Sequence, residues 1–310
     1  MTHEEWLTRR KEGIGGSDVA AILGISPWKT PLDVYLDKIG EAPETPVTES
    51  MLLGTALEQF VADRFTEQTG RQTSRFNTLL KRGHSIGNVD RLIVPEGQRL
   101  GSNGTKIATD ELLECKTSSV EWTDGVPAYY LSQVQHYMGL DDMFKRATVA
   151  CMFIGLTKSF KLYTVERDNE LIGNLQDAVE RFWADHVEKR VPPNPKNEED
   201  CRKLWSRNEA GATLEADDAI KDAVSNLRDV TAKIKALEGK ESALKKQIME
   251  AMGTNEILTI DGKKAVTWKN NKDSVKTNWQ MLAESYNPDE AKIAEFTTTT
   301  AGARVFRLGK

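Results

Sequence analysis

Cysteine is scarce in this chain. Cys115, Cys151 and Cys201 are the three in 310 residues, far apart and without a CxxC pair. That pattern argues against a cysteine zinc site and against a disulfide framework, and it fits a reducing cytoplasm. Long apolar runs are also missing. Nothing approaches the roughly 18 consecutive residues that a bilayer-spanning helix needs, so no membrane association is expected. The opening MTHEEWLTRRKEG has no apolar h-region, so no secretory signal is expected. An excess of positive charge is lacking as well: 42 Lys and Arg face 47 Asp and Glu, a net charge of −5. This argues against a protein that coats nucleic acid through bulk charge. It leaves room for an enzyme that handles DNA in a local groove, because acidic metal ligands depress the total and bound ions restore it locally.

What is present is enough for a soluble protein with a core, at 39% apolar and 29% charged residues. The length suits one large domain plus an appendage, or two domains. In GIGGSDVAAILG, Ser17 or Asp18 can cap a helix starting at Val19, and Gly24 can end it. A second helix is expected from Thr30-Pro31 to Gly40, followed by a linker, PETPVTES (43–50). Residues 51–70 read as an amphipathic helix with a glycine stop, residues 71–116 as a strand meander, and residues 127–140 as a helix. A hairpin is expected over 146–167 and a long helix over 168–190. VPPNPKNEED (191–200) is the clearest boundary. It divides the chain into a core (1–190), a linker (191–214) and an appendage (215–310). In the appendage, Ile220, Val224, Leu227, Ile234, Leu237, Leu244 and Ile248 recur at helical spacing, with Gly239 interrupting them. An antiparallel helical hairpin turning at Gly239 is the expectation. A β-hairpin with an Asp-Gly turn over 256–270, a short helix near 277–285 and a last strand over 303–308 follow. The fold class expected is α/β: a small mixed central sheet flanked by helices, plus a C-terminal appendage of helical hairpin and β-strands.

The chemistry concentrates in LLECKTSS (112–119). Side chains alternate along a strand, so Glu114 and Lys116 share one face while Leu112, Leu113 and Cys115 make apolar contacts. The pair reads either as a solvent-facing ion pair at a strand end or as part of a metal-dependent hydrolase. In the second case Glu114 binds a divalent ion, and Lys116 helps activate water or neutralise phosphate charge. Asp90, in GNVDRLIV, supplies a second acid on the preceding strand, and antiparallel pairing can bring it beside Glu114. Two such carboxylates suit Mg2+ or Mn2+. Glu58 lies amid Leu57, Phe60, Val61 and Phe65 on the 51–70 helix. It is either a third acid facing the metal or part of a solvated face paired with Arg64. Gln133 and Tyr137, four apart, share a helix face and either bind phosphate and orient Lys116 or decorate a surface. Arg10, Ser17 and the GIGGS turn make either an anion site or a plain cap.

Taken in order, Arg10 with GIGGSDVAAILGISPWKTPLDVYLDKIGE, then GTALEQFVADRFTEQTG, VDR, LLECKTSS and YYLSQVQHYM, residues 5–190 resemble the YqaJ-type viral recombinase family. That family includes alkaline exonucleases similar to the one of phage lambda, within the PD-(D/E)xK nuclease superfamily. The resemblance implies that Asp90 and Glu114, with Glu58 and the Cys115 backbone carbonyl, hold the metal, and that Lys116 is the catalytic lysine. It implies a QxxxY role for Gln133 and Tyr137, with Gln135 beside them on the substrate side, and a DNA 5′-phosphate at Arg10 and Ser17. Arg91 follows Asp90 where the family usually has Gly, and Val89 stands where Pro often does. The implied activity is Mg2+-dependent 5′→3′ digestion of linear double-stranded DNA, with Mn2+ able to substitute. It leaves 3′ overhangs for a single-strand annealing recombinase. The implied assembly is a ring, a trimer. The rivals are an endonuclease of the same superfamily and a nuclease-inactive DNA-binding scaffold subunit. The intact Asp90, Glu114 and Lys116 argue against the scaffold. An iron–sulfur nuclease of the RecB type needs four cysteines, which three scattered ones cannot supply.

Overall fold

The computed structural model describes residues 10–42, 48–76, 78–97, 109–155, 160–276, 278–286, 288–298 and 306. The chain divides into two units, Met1–Leu204 and Trp205–Lys310. In the first unit, helix α1 spans Gly16–Ile22. It begins ahead of the expected Val19, with Gly15 as the N-cap. Asp18 occupies the third helical position, where its carboxylate accepts the Gly15 N–H at 3.4 Å. Helix α2, Pro31–Ile39, follows its sequence signals. Thr30 accepts the Asp33 N–H, Asp33 accepts the Thr30 N–H at 2.9 Å, Pro31 opens the first turn, and Gly40 closes the helix at φ 79°. Helix α3, Glu49–Thr69, is capped by Thr48 and stopped by Gly70 at φ 71°.

The central sheet has five strands in the order β1-β4-β5-β6-β7. These are β1 Thr73–Arg75, β4 Arg91–Ile93, β5 Glu111–Ser118, β6 Arg146–Phe153 and β7 Phe160–Glu166. Strands β5 and β6 pair in parallel and the other neighbours are antiparallel, so the sheet is mixed as expected. Helix α4, Ala128–Leu140, makes the crossover between the parallel pair. The expected meander over 71–116 is broken: β2 Leu80–Arg82 and β3 Ser85–Gly87 form their own hairpin outside the sheet. Helix α5, Asn169–Phe182, is capped by Asp168 and runs on through a π-helical turn, Trp183–Glu188.

The alternation on β5 sorts its residues between two layers. Leu113 and the half-buried Cys115 meet Val61, Ala62 and Phe65 of α3. Leu112 meets Val134, Tyr137 and Met138 of α4. Truncating the fully buried Phe65 to Ala costs about 3–5 kcal/mol by the usual cavity scale. Glu114 and Lys116 therefore point toward α4, into the protein.

The first unit does not end at the proline-rich stretch. Helix α6, Glu198–Leu204, lies inside the expected 191–214 linker and docks on α2. Asp200, wholly buried, accepts the Thr30 hydroxyl at 2.9 Å and the Lys196 N–H at 2.8 Å, and Lys203 reaches Asp33 at 2.7 Å. Prolines stop a helix, but they do not stop the next turn from burying a side chain.

In the second unit, helix α7 runs unbroken over Asp218–Met252, so the turn expected at Gly239 does not form. One helical glycine costs only about 1 kcal/mol, and the Glu241–Lys245 and Lys246–Glu250 pairs support the turns that follow it. Strands β8 Ile257–Ile260 and β9 Lys263–Thr267 make the expected hairpin. Its Asp261 and Gly262 both adopt positive φ, as a type I′ turn requires. Helix α8, Trp279–Ser285, matches the expected short helix, and α9, Glu290–Glu295, was not expected. The strand expected over 303–308, apart from Phe306, and residues 43–47 of the expected linker lie outside the described residues. Among the described residues no helix is long and apolar enough to cross a membrane.

The α6 contacts yield a stability prediction. A chain ending at Leu204 should melt cooperatively. One ending at Arg190 should melt several degrees lower, because Asp33 and Thr30 lose partners worth about 1–3 kcal/mol. Circular dichroism melts of the two chains check this, and equal midpoints would show that α6 contributes nothing to the unit.

Candidate active site

Antiparallel pairing of β4 with β5 aligns Arg91 with Leu113 and Leu92 with Leu112. One step further along that register sets Asp90 across from Glu114. The structure bears this out: Asp90 Oδ2 accepts the Cys115 N–H at 2.8 Å. Glu114 is 2% exposed, so it is not the solvent-facing member of a surface pair. Its Oε1 lies 2.8 Å from Lys116 Nζ.

Gln133 of α4 locks this pair. Its amide oxygen accepts Lys116 Nζ at 3.0 Å, and its Nε2 donates to Glu114 Oε1 at 2.9 Å and to the Tyr137 hydroxyl oxygen at 3.0 Å. The cation on one side and the carboxylate on the other fix which way the amide points. The Lys116 ammonium also lies 4.7 Å over the ring of Tyr130. Glu114 Oε2, by contrast, is buried with no hydrogen-bond partner.

The charge balance is strained. Burial, and then the adjacent Glu114 charge, pushes the Asp90 carboxyl up to about 8. Burial opposes the Lys116 charge, but Glu114 and Asp90 outweigh it and hold the ammonium above its ordinary range. Burial and Glu114 raise the Tyr137 phenol well above its ordinary value, so it remains protonated.

Asp90 and Glu114 offer hard carboxylate oxygens, one of them orphaned in the interior. That donor set fits a divalent cation that keeps several waters, as Mg2+ does. Among the described residues, no group of three His, Cys, Asp or Glu side chains is close enough to cage an ion unaided. Glu58 lines the same cleft, but its Oε1 is bonded to Arg91 Nη1 at 2.6 Å. The expected third acid is therefore neutralised by Arg91, the residue that departs from the family's usual glycine, and not by Arg64. Arg64 pairs instead with Glu67.

A second cleft of about 260 Å3 adjoins the first. Arg10, Ser17, Asp18, Gly87, Asn88, Asp90 and Tyr137 line it. Asp90 and Tyr137 are walls of both clefts. Arg10 and Ser17 thus line a cleft that Asp90 also borders. Sequence reasoning missed the reason Arg10 is placed: Asp18, wholly buried, contacts Lys38 at 2.8 Å, Lys29 at 3.5 Å and Arg10 at 3.6 Å. Burial opposes the Asp18 charge, but these three cations overcome it and hold the carboxyl far below the usual carboxylate range. The signal was there, since an acid in the first turn after GIGGS has somewhere to point besides a cap. Tyr130, under Lys116, gave no such signal, because Gln133 and Tyr137 claimed the helix.

Gln135 is not part of the cluster. Its Nε2 donates to the Glu166 carbonyl at 2.7 Å and its Oε1 accepts the Asp168 N–H at 3.0 Å, bracing α4 against the turn into α5. Two residues along a helix from Gln133, it faces another side.

The fold and site together define a mixed-sheet α/β protein with an acid at the start of one strand and Glu-x-Lys on its neighbour, the PD-(D/E)xK arrangement. Residues 5–143 match the YqaJ-like viral recombinase domain. Over 282 residues the chain is 32% identical to the uncharacterized protein YqaJ of Bacillus subtilis (strain 168), covering 87% of this chain and 84% of that one. The chain belongs to the YqaJ-like viral recombinase family. Among solved structures it resembles an alkaline exonuclease, LHK-Exo, from Laribacter hongkongensis, with a TM-score of 0.46 at 19% identity, over 60% of this chain and 93% of that one. It also resembles a phage-related exonuclease from Haemophilus somnus 129PT, with a TM-score of 0.43 at 14% identity, over 58% and 96% of the two chains.

The raised Asp90 carboxyl has a consequence for stability. The folded chain keeps that proton up to about pH 8, whereas an unfolded aspartate loses it near pH 4, about its ordinary pKa. Between those values the unfolded chain binds fewer protons, so this group makes stability fall as pH rises. Asp90→Asn should therefore raise the melting temperature in EDTA by a few degrees at pH 8 and leave it unchanged at pH 4. Thermal melts across that range check it, and a difference that does not change with pH would contradict it.

Proposed function

We propose that this protein is a metal-dependent deoxyribonuclease. It digests linear double-stranded DNA from a 5′ end and leaves 3′ overhangs for strand-annealing recombination. The observation that carries this reading is the shared wall of the two clefts: Asp90 and Tyr137 border both the Glu114–Lys116 acid cluster and the Arg10–Ser17 cleft. One strand end can then present its terminal phosphate to Arg10 and Ser17 and its first phosphodiester to Lys116.

Asp90 and Glu114 are the residues proposed to hold Mg2+, with Mn2+ as a substitute. When bound, such an ion neutralises charge at the scissile phosphate and makes an attacking water more acidic. Lys116 contributes a fixed ammonium toward charge that develops on the phosphate. It is already held by Gln133 and Glu114, so little reorganisation is needed as the reaction proceeds. Gln133 keeps lysine and glutamate in register, and Tyr137 supports Gln133. Arg10 offers a planar set of donors suited to a terminal phosphate. The partners in this reading are duplex ends, further copies of the chain in a trimeric ring, and a single-strand annealing protein.

Glu114→Gln and Lys116→Ala should each lower hydrolysis of end-labelled linear duplex in Mg2+ by about 100-fold or more. EDTA should abolish it, and closed circular duplex should survive as the control. Near-wild-type cleavage by either variant would remove the assignment, and nicking of the circle would make the enzyme an endonuclease.

The Arg10 cleft makes a separate prediction. Duplex with a 5′-phosphate should be degraded faster than duplex with a 5′-hydroxyl, and Arg10→Ala should shrink that ratio. Equal initial rates on both ends for the unmodified enzyme would show that this cleft does not read the terminal phosphate.

A further inference from the structure

Trp28 is 67% exposed in the loop between α1 and α2, although an exposed tryptophan gains little from burial. The ring is nevertheless held. Ser26 Oγ accepts the backbone N–H groups of Trp28 and Lys29, both at 3.2 Å, and so fixes the turn. The indole meets Tyr129 edge-on at 5.0 Å and lies 5.9 Å from Tyr130, tilted by 37°. Tyr129 and Tyr130 are themselves 4.6 Å apart.

This cluster is continuous with the candidate active site. Tyr130 lines the acid cleft and carries the Lys116 ammonium over its ring. The next loop residue, Lys29, reaches Asp18 in the wall of the other cleft. Trp28 thus contacts a wall residue of one cleft and Lys29 a wall residue of the other.

We propose that Trp28, backed by Tyr129, is a stacking platform for a nucleobase next to the scissile phosphate. This rests on the nuclease reading for the strand's path, but the platform is a binding site that can be measured without hydrolysis. A flat, rigid aromatic face recognises any base through its π surface, so the platform serves without sequence preference. It also fits a strand end whose bases have left the duplex, since only an unpaired base offers both faces. The occupant is a base because the platform adjoins Tyr130 of the acid cleft, where the proposed reaction puts the scissile phosphodiester and so brings the neighbouring bases within reach.

The test uses the full chain and a fluorescein-labelled, 5′-phosphorylated linear duplex. The first or second nucleotide of the 5′ strand is either normal or abasic. Binding is read by anisotropy with Ca2+ in place of Mg2+, and cleavage in Mg2+ is read in parallel. The wild-type protein should bind normal DNA about tenfold more tightly than DNA abasic at one of these positions. Trp28→Ala should lose that discrimination, and Trp28→Phe should keep most of it. The platform is overturned if wild-type binding ignores the missing base at both positions. It is also overturned if Trp28→Ala weakens normal and abasic DNA by the same factor, which is a structural effect. Unchanged behaviour of Trp28→Ala on every substrate would assign the surface to another occupant, such as a second copy of the chain, and would overturn it too. Base-dependent binding without any cleavage would sink the nuclease reading and leave the platform standing. Cleavage with base-independent binding would do the reverse. Neither binding nor cleavage would sink both.

Discussion

Two carboxylates, Asp90 and Glu114, sit against each other inside the protein with one ammonium, Lys116, to offset them. Burial disfavours the Asp90 charge, the neighbouring Glu114 charge adds to that, and the carboxyl is pushed up to about 8. A fold optimised only for stability would replace such a pair with apolar residues. Keeping it requires a rigid frame, and the surrounding structure supplies one. The β4–β5 register sets the two acids opposite each other, the Cys115 N–H pins Asp90, and α3 clamps the other face of β5 through Val61, Ala62 and Phe65. Gln133 then ties Glu114 and Lys116 to α4.

Tyr137 carries that frame across to the second cleft. A Cβ on Gly16 would fall 2.5 Å from its ring and a Cβ on Gly87 would fall 2.7 Å from it, so the start of α1 and the end of β3 both close on the phenol. Those two glycines are needed for this close approach, since their φ values are not of the positive kind. The start of α1, which bears Ser17, is in this way positioned by the residue that supports Gln133. The two clefts are therefore set by one ring.

Much of this was legible in the sequence because the local signals were unopposed. Thr30-Pro31 and Gly40 mark the two ends of α2, and Glu114-x-Lys116 with Asp90 marks the adjacent strands. What failed had a competing physical cause. Asp18 looked like a cap, but burial among three cations gave it a longer-range role. Gln135 was grouped with Gln133 by proximity in sequence, although residues two apart on a helix face different ways. Glu58 reads as a third acid or as a partner of Arg64 on its own helix, whereas its partner, Arg91, arrives from β4 and is visible only in three dimensions. Gly239 and the prolines of 191–200 read as breaks, but one glycine is a small cost in a helix whose following turns carry ion pairs, and the Asp200–Thr30 contact takes the unit past the prolines. The separate β2–β3 hairpin was hidden because a short strand reads the same whichever partner it finds.

The central claim is that the buried acid pair is a divalent-cation site, and binding to the folded state alone must stabilise it. The direct measurement is the melting temperature of the wild-type protein and of Glu114→Gln at pH 7.5, with Mg2+ or Mn2+ titrated from zero. The account predicts that the wild-type midpoint climbs with ion concentration and that the variant's does not. A wild-type midpoint indifferent to both ions, or a variant that climbs as far as the wild type, would contradict it.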